Sequence, residues 1–161
     1  MIHVRRTGNL DASGMASLIN QIIAKGGTTA YTNPIKPSDL RLRMAEPDAI
    51  WHLAENDAGE MLGFQWIAPH KDLTNVSVDI ASFVKIGATG LGIGSALFEA
   101  TKKAAQKNGY RFIHAIIRAD NDSGLAYYQS RGFENFQRIA NAELDDGTIV
   151  DKIWKRYDLW A

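Results

Sequence analysis

The chain has 161 residues, with 18 Lys plus Arg against 18 Asp plus Glu, 45% hydrophobic residues and 22% charged ones. That is enough chain for one globular domain with a real core, and too little for two ordinary ones. The balanced charge disfavours a nucleic-acid platform, whose affinity would rest on excess basic side chains. With no cysteine, disulfides, thiolate metal sites and a cysteine nucleophile are excluded. His3, His52, His70 and His114 lack helical ligand spacing, so no metal site is expected. The first residues, Met1 to Arg6, show no apolar signal segment, and no apolar run is long enough to span a bilayer. The expectation is a soluble, cytoplasmic protein of one domain over residues 1–161.

Alternating apolar and polar residues from Ile2 to Arg6 predict a half-buried strand. Met15, Leu18, Ile19, Ile22 and Ile23 fall at helical spacing within Leu10 to Lys25, and Gly26-Gly27 ends that helix. Pro37-Ser38-Asp39 predicts the start of a short helix running to about Ala45. Ile50 to Glu55 and Met61 to Ala68 are predicted strands joined by the turn-forming Asn56-Asp57-Ala58-Gly59. Val76 to Val84, rich in β-branched residues, is a third strand in this run.

After a glycine-rich loop, Gly87 to Gly94, the stripe Leu97, Ala100, Thr101, Ala104 and Ala105 predicts a helix over Ser95 to Lys107. Phe112 to Ile117 is almost continuously apolar and predicts a strand buried on both faces. A helix is expected from about Ser123 to Arg131, stopping at Gly132. Phe133 to Ala142 and Thr148 to Leu159 then form a hairpin around Asp145-Asp146-Gly147. The order is that of a mixed α/β domain.

The most informative stretch is Val84-Lys85-Ile86-Gly87-Ala88-Thr89-Gly90-Leu91-Gly92-Ile93-Gly94-Ser95. Glycines between a strand and a helix let backbone amides face an anion, and the helix adds its own unpaired amides and positive dipole end. A pyrophosphate is the natural guest; a merely flexible turn is the alternative. A dinucleotide fingerprint would need a third glycine where Ser95 stands, and a Walker A loop would need a lysine that is absent.

Thr89-Gly90-Leu91-Gly92-Ile93-Gly94 resembles the cofactor motif of the GNAT superfamily of N-acyltransferases, Gln/Arg-x-x-Gly-x-Gly/Ala. It departs at Thr89, where Gln or Arg is usual, and at Ile86, where proline is common. Asn121, Ala126, Tyr128 and Gly132-Phe133 stand at the spacing of a second family block. The resemblance implies a largely antiparallel central sheet of about seven strands, splayed between the fourth and fifth and flanked by about four helices. It further implies that acetyl-CoA is the co-substrate and that a free amine attacks the thioester directly. The pantetheine arm would pair with Phe83, Val84 and Lys85. Thr89, Gly90, Leu91, Gly92, Ile93, Gly94 and Ser95 would hold the phosphates, with Asn121 and Tyr128 also against the cofactor.

Tyr128 is the candidate for assisting the leaving thiolate. A phenol near pKa 10 is a weaker acid than a thiol near 8.5, so full proton transfer is uphill by roughly 2 kcal/mol. Hydrogen-bond donation is therefore as plausible as protonation. Asp79, on an otherwise apolar strand, is the candidate general base, since burial would raise its pKa. Asp79 could equally be a solvent-facing acid and Tyr128 a core aromatic.

Within the family the sequence is most similar to the phosphinothricin acetyltransferase branch. Asp79 matches an acid there, Gly147-Thr148-Ile149-Val150-Asp151 matches a late-strand pattern, and Gly27-Thr28-Thr29-Ala30-Tyr31 matches a threonine-rich substrate loop. That branch implies a homodimer and an amino-acid-like amine acceptor. Thr28, Tyr31, Trp66 and His70 are the candidates for its pocket. A CoA-binding domain without catalysis is the alternative that Thr89 keeps open.

Overall fold

In the computed structural model, which describes residues 1–161, one seven-stranded sheet runs through the molecule. Its strands are β1 (His3–Arg6), β2 (Ile50–Glu55), β3 (Met61–Ala68), β4 (Ser77–Val84), β5 (Phe112–Arg118), β6 (Glu134–Glu143) and β7 (Ile149–Asp158). Helices α1 (Ala12–Lys25), α2 (Pro37–Met44), α3 (Ile93–Lys107) and α4 (Asp122–Ser130) pack on it. The strand order is β1-β2-β3-β4-β5-β7-β6. Every adjacent pair is antiparallel except β4 and β5. The expected mixed α/β architecture is therefore present.

The parallel pair is short. Only Ser77, Val78 and Asp79 align with Phe112, Ile113 and His114, and the strands part beyond that point. From Ile80 to Val84, β4 has β3 on one side and no strand on the other. This opening is the splay expected between the fourth and fifth strands.

Two apolar layers fix the sheet. On the α1/α2 face, Met15, Leu18 and Ile19 of α1 and Leu40 of α2 bury against Trp51, Leu53, Phe64, Trp66 and Phe83. Trp51 and Trp66 stack at 4.2 Å between ring centroids. On the α3/α4 face, Phe98 and Ala105 meet Ile67, Val78, Ile113, Ala115, Ile117 and Phe133. Each such large side chain contributes about 1.5–3 kcal/mol by leaving water, which is what clamps the helices to the strands.

Three sequence expectations change in detail. The first helix begins at Ala12, not Leu10, after a 3-10 turn at Asn9–Asp11. There Asp11 accepts from the Gly8 amide at 2.7 Å and pairs with Arg5 at 2.9 Å, while Leu10 is fully exposed. The third helix begins at Ile93, not Ser95, because Gly92 at φ 82° is the last left-handed residue and Ile93 is buried beside Ala54, Ala88 and Leu97. β5 is not buried on both faces: Ile116 is 48% exposed, since it faces the opening that β4 leaves by diverging.

Candidate active site

The splay opens into a cavity of about 870 Å³ bordered by the 28–31 loop, β4 from Ile80 to Val84, the glycine loop, the end of β5 and α4. Its floor on the α3 side is built by conformation. Gly87, Gly90 and Gly92 have φ of 85°, 83° and 82°, a region costly for residues with a Cβ. The turn they make leaves the consecutive amides from Thr89 to Ser95 without a backbone acceptor. The first bonded amide of α3 is that of Ala96, to the Gly92 carbonyl at 3.0 Å. No acidic side chain stands in the first turn of α3 to compete for those amides.

Gly94 has a separate reason to be glycine. A Cβ there would lie 2.6 Å from Cε1 of Tyr127, so the α4 aromatic and the α3 backbone meet in direct contact. The Tyr127 hydroxyl donates to the Gly94 carbonyl at 2.7 Å.

Charge is strongly sorted here although the chain is neutral overall. Lys25, Arg118, Arg131 and Lys152 line the cavity, and no Asp or Glu does. Arg131 donates to the Ser95 hydroxyl at 2.6 Å, beside the unpaired amides, and its buried Nε has no partner. Arg118 is held by Asp120 at 2.8 Å and donates to the Thr29 carbonyl at 3.1 Å. Asn121 caps α4 by accepting from the Gly124 amide at 3.0 Å, and donates to the Thr28 carbonyl at 2.8 Å. Arg118 and Asn121 thus latch the 28–31 loop to the mouth of the cavity.

Among the residues expected from sequence, Phe83, Val84, Thr89, Gly90, Gly92, Ile93, Gly94, Ser95, Asn121 and Tyr128 all line the cavity, as do Thr28 and Tyr31. Leu91 projects outward at the loop tip. Lys85 turns away, its ammonium 2.6 Å from Glu60 and its amide bonded to the Leu62 carbonyl. Trp66 is buried in the aromatic stack, and His70 lies in the loop after β3, near Asp72; neither borders the cavity.

Asp79 sits where the β4–β5 pairing ends, one residue before the cavity lining begins. Burial pushes its carboxyl above the usual range, while His70 and Arg43 pull the other way. Tyr128 is buried, and desolvation raises its phenol well above the usual value; its hydroxyl lies 2.8 Å from that of Ser82. Tyr127 is pushed up to about 12 by the same cause. Gln65, Ser82, Thr101 and Tyr127 form a polar network with Tyr128 that sequence reasoning missed. A glutamine inside the apolar strand Phe64-Gln65-Trp66-Ile67 was the available signal for it.

An amide-lined turn at a helix start, at a parallel splay with a cation-lined cavity, is matched by sequence. The profile of the acetyltransferase (GNAT) family covers residues 21–133.

The chain belongs to the acetyltransferase (GNAT) family.

Among relatives of this GNAT chain, a mycothiol acetyltransferase of Paenarthrobacter aurescens is 37% identical over 106 residues, covering 60% of this chain and 32% of its own. The chain spans about a third of the length of such mycothiol acetyltransferases. YwnH of Bacillus subtilis, provisionally named a phosphinothricin acetyltransferase, is 24% identical over 97% of this chain and 94% of its own. A phosphinothricin acetyltransferase from Sinorhizobium meliloti, solved in complex with acetyl-CoA, superimposes with a TM-score of 0.87. It is 18% identical, covering 98% of this chain and 88% of that one, and shows the shared fold.

Proposed function

We propose that this GNAT chain is a single-domain N-acetyltransferase that moves an acetyl group from acetyl-CoA to the primary amine of a small, amino-acid-like molecule in a ternary complex. The observation that carries this reading is the run of unpaired amides from Thr89 to Ser95 beside Arg131, at one end of a cavity lined by cations and no carboxylate. That chemistry fits a diphosphate-bearing ligand. The positive charge of Lys152 on the lining suits an acceptor that carries its own carboxylate.

When bound, acetyl-CoA supplies an activated thioester carbonyl. Gly90, Gly92, Ile93, Gly94 and Ser95 hold the phosphates through backbone amides, with Thr89 and Leu91 completing the turn. The unpaired edge of β4 at Phe83 and Val84 faces the pantetheine arm, and Asn121 keeps the loop of Thr28 and Tyr31 against the acceptor. Asp79 takes the proton that the acceptor's ammonium must lose, directly or through water, which its raised pKa favours. In the balanced reaction the N–C bond forms, the C–S bond breaks with its electron pair on sulfur, and the second N–H proton that the new amide must shed ends on the departing thiolate by way of water, giving free CoA thiol. Tyr128 donates a hydrogen bond there rather than its proton, because burial makes its phenol a still weaker acid than in water.

A cytoplasmic homodimer completes the reading, supported by the branch resemblance and by exposed Phe136 and Ile149 on the outer β6–β7 hairpin. The test pairs thiol release from acetyl-CoA across a panel of small amines with thermal shift on the same ligand. Release with at least one carboxylate-bearing amine is expected. Stabilisation without release for any amine would instead mark a non-catalytic CoA binder.

A further inference from the structure

Gln65 is completely buried on β3, between Phe64 and Trp66, and does not border the cavity. A buried amide costs stability unless its bonds are made, and a methionine of similar length would fill the space without that cost. Here the bonds are made, and they have a direction. The Thr101 hydroxyl donates to Gln65 Oε1. The two hydrogens on Nε2 go to Ser82 Oγ at 2.7 Å and to the Tyr127 hydroxyl at 3.2 Å.

The amide cannot be turned over. Tyr127 has one hydroxyl hydrogen, and it goes to the Gly94 carbonyl, which can only accept. The Tyr127 oxygen can therefore only accept from Gln65, so the atom facing it is nitrogen. It follows that Ser82 also accepts from Gln65, which occupies one of its two lone pairs and leaves its own hydrogen available to the Tyr128 oxygen, 2.8 Å away.

We propose that Gln65 is a positioning residue that biases the polarity of the Ser82–Tyr128 pair: by filling one acceptor site of Ser82 it favours the arrangement in which the Tyr128 hydroxyl hydrogen is the one left for the cavity. This rests on the acetyltransferase reading above. As negative charge gathers on the departing sulfur, Tyr128, the more acidic hydroxyl, points its hydrogen there. Ser82 points its hydrogen to the Tyr128 oxygen, and the Gln65 N–H already points to Ser82. Only hydroxyl hydrogens turn and no heavy atom of the network has to move, which keeps the reorganisation small as charge develops. The bond from Tyr127 to Gly94 ties the same amide to the first turn of α3, so the amide cradle and the sulfur-facing hydroxyl share one support.

The test uses Gln65→Met, which removes the donors, and Gln65→Glu, which keeps the shape but can only accept when ionised. Each is measured for acetyl-CoA affinity by calorimetry, for kcat and KM, for melting temperature, and for the ring-carbon resonance of labelled Tyr128 in the free protein. The expected result is a fall in kcat of about tenfold or more with affinity and KM for acetyl-CoA within about twofold, together with a displaced Tyr128 resonance. In a Ser82→Ala background, Gln65→Met should add no further loss. An unchanged kcat with an unmoved resonance overturns the proposal, as do fully additive losses with Ser82→Ala. Should Gln65→Met not fold, Thr101→Val and Ser82→Ala probe the same chain from either end. If the wild-type protein releases no thiol with any amine, the acetyltransferase reading fails, while the Tyr128 resonance still decides the polarity.

Discussion

Tyr128 and Asp79 are displaced from their ordinary acidities in the same direction and by the same cause, yet the consequences are opposite. Burial makes Asp79 a better proton acceptor, and it makes Tyr128 a poorer proton donor that still donates a hydrogen bond. Tyr128→Phe is expected to lower kcat by about a hundredfold while the calorimetric Kd for acetyl-CoA stays within about twofold. Loss of affinity with intact turnover would place the hydroxyl in binding. For Asp79 the raised pKa means that the base is unmasked only as pH climbs through that value. Asp79→Asn should cut kcat by about 10²–10⁴-fold and flatten the acid limb of the rate profile; a limb that persists would assign it to another group.

At the scale of elements, the turn into α3 is where most of the site is decided. Val at position 92 would have to adopt φ near 82°, which costs about 1–3 kcal/mol for a β-branched residue and would tilt the amides away from their target. At position 94 the problem is space. Gly94→Ala would push the Tyr127 ring from the helix and stretch its bond to the Gly94 carbonyl, with an expected loss of about 1–3 kcal/mol in denaturant unfolding.

These two glycines also show what could be read without coordinates. Their spacing between a strand and a helix pointed to an anion cradle, and Met61–Ala68 and Ile50–Glu55 were bounded correctly because the turn residues Asn56-Asp57-Ala58-Gly59 divide two largely apolar runs. Ile116 was misjudged because apolar content alone cannot report that the neighbouring strand has diverged. Arg118, Arg131, Lys25 and Lys152 were not singled out because they sit on separate elements with no shared motif, and only the fold brings their charges to one cavity. Trp66 and His70 show the reverse: a site-like residue type whose strand register and loop direct it elsewhere.

Across the whole molecule, neutrality conceals a local segregation: four of the 18 Lys and Arg residues and none of the 18 Asp and Glu residues line the cavity. Two histidines add a pH dependence of their own. Burial, aided by Arg6 and Arg156 respectively, lowers His52 and His114 to about 4, and His114 accepts from Trp154 Nε1 at 2.8 Å. Because the unfolded chain binds these protons near pH 6.5, their contribution is complete above that value and drains away as pH falls toward 4. The melting temperature should therefore drop between pH 6.5 and 5, and a His52→Gln, His114→Gln double variant should show a shallower slope. An identical slope would move the effect to other groups.

The proposed acetyl transfer depends on the amides from Thr89 to Ser95 gripping the diphosphate of a coenzyme A ligand. Calorimetric titration of acetyl-CoA into the wild-type chain and into Gly92→Val tests that directly. Saturable binding that weakens about tenfold or more in the variant, with its fold intact by circular dichroism, is the predicted result; equal affinity in both proteins would contradict it.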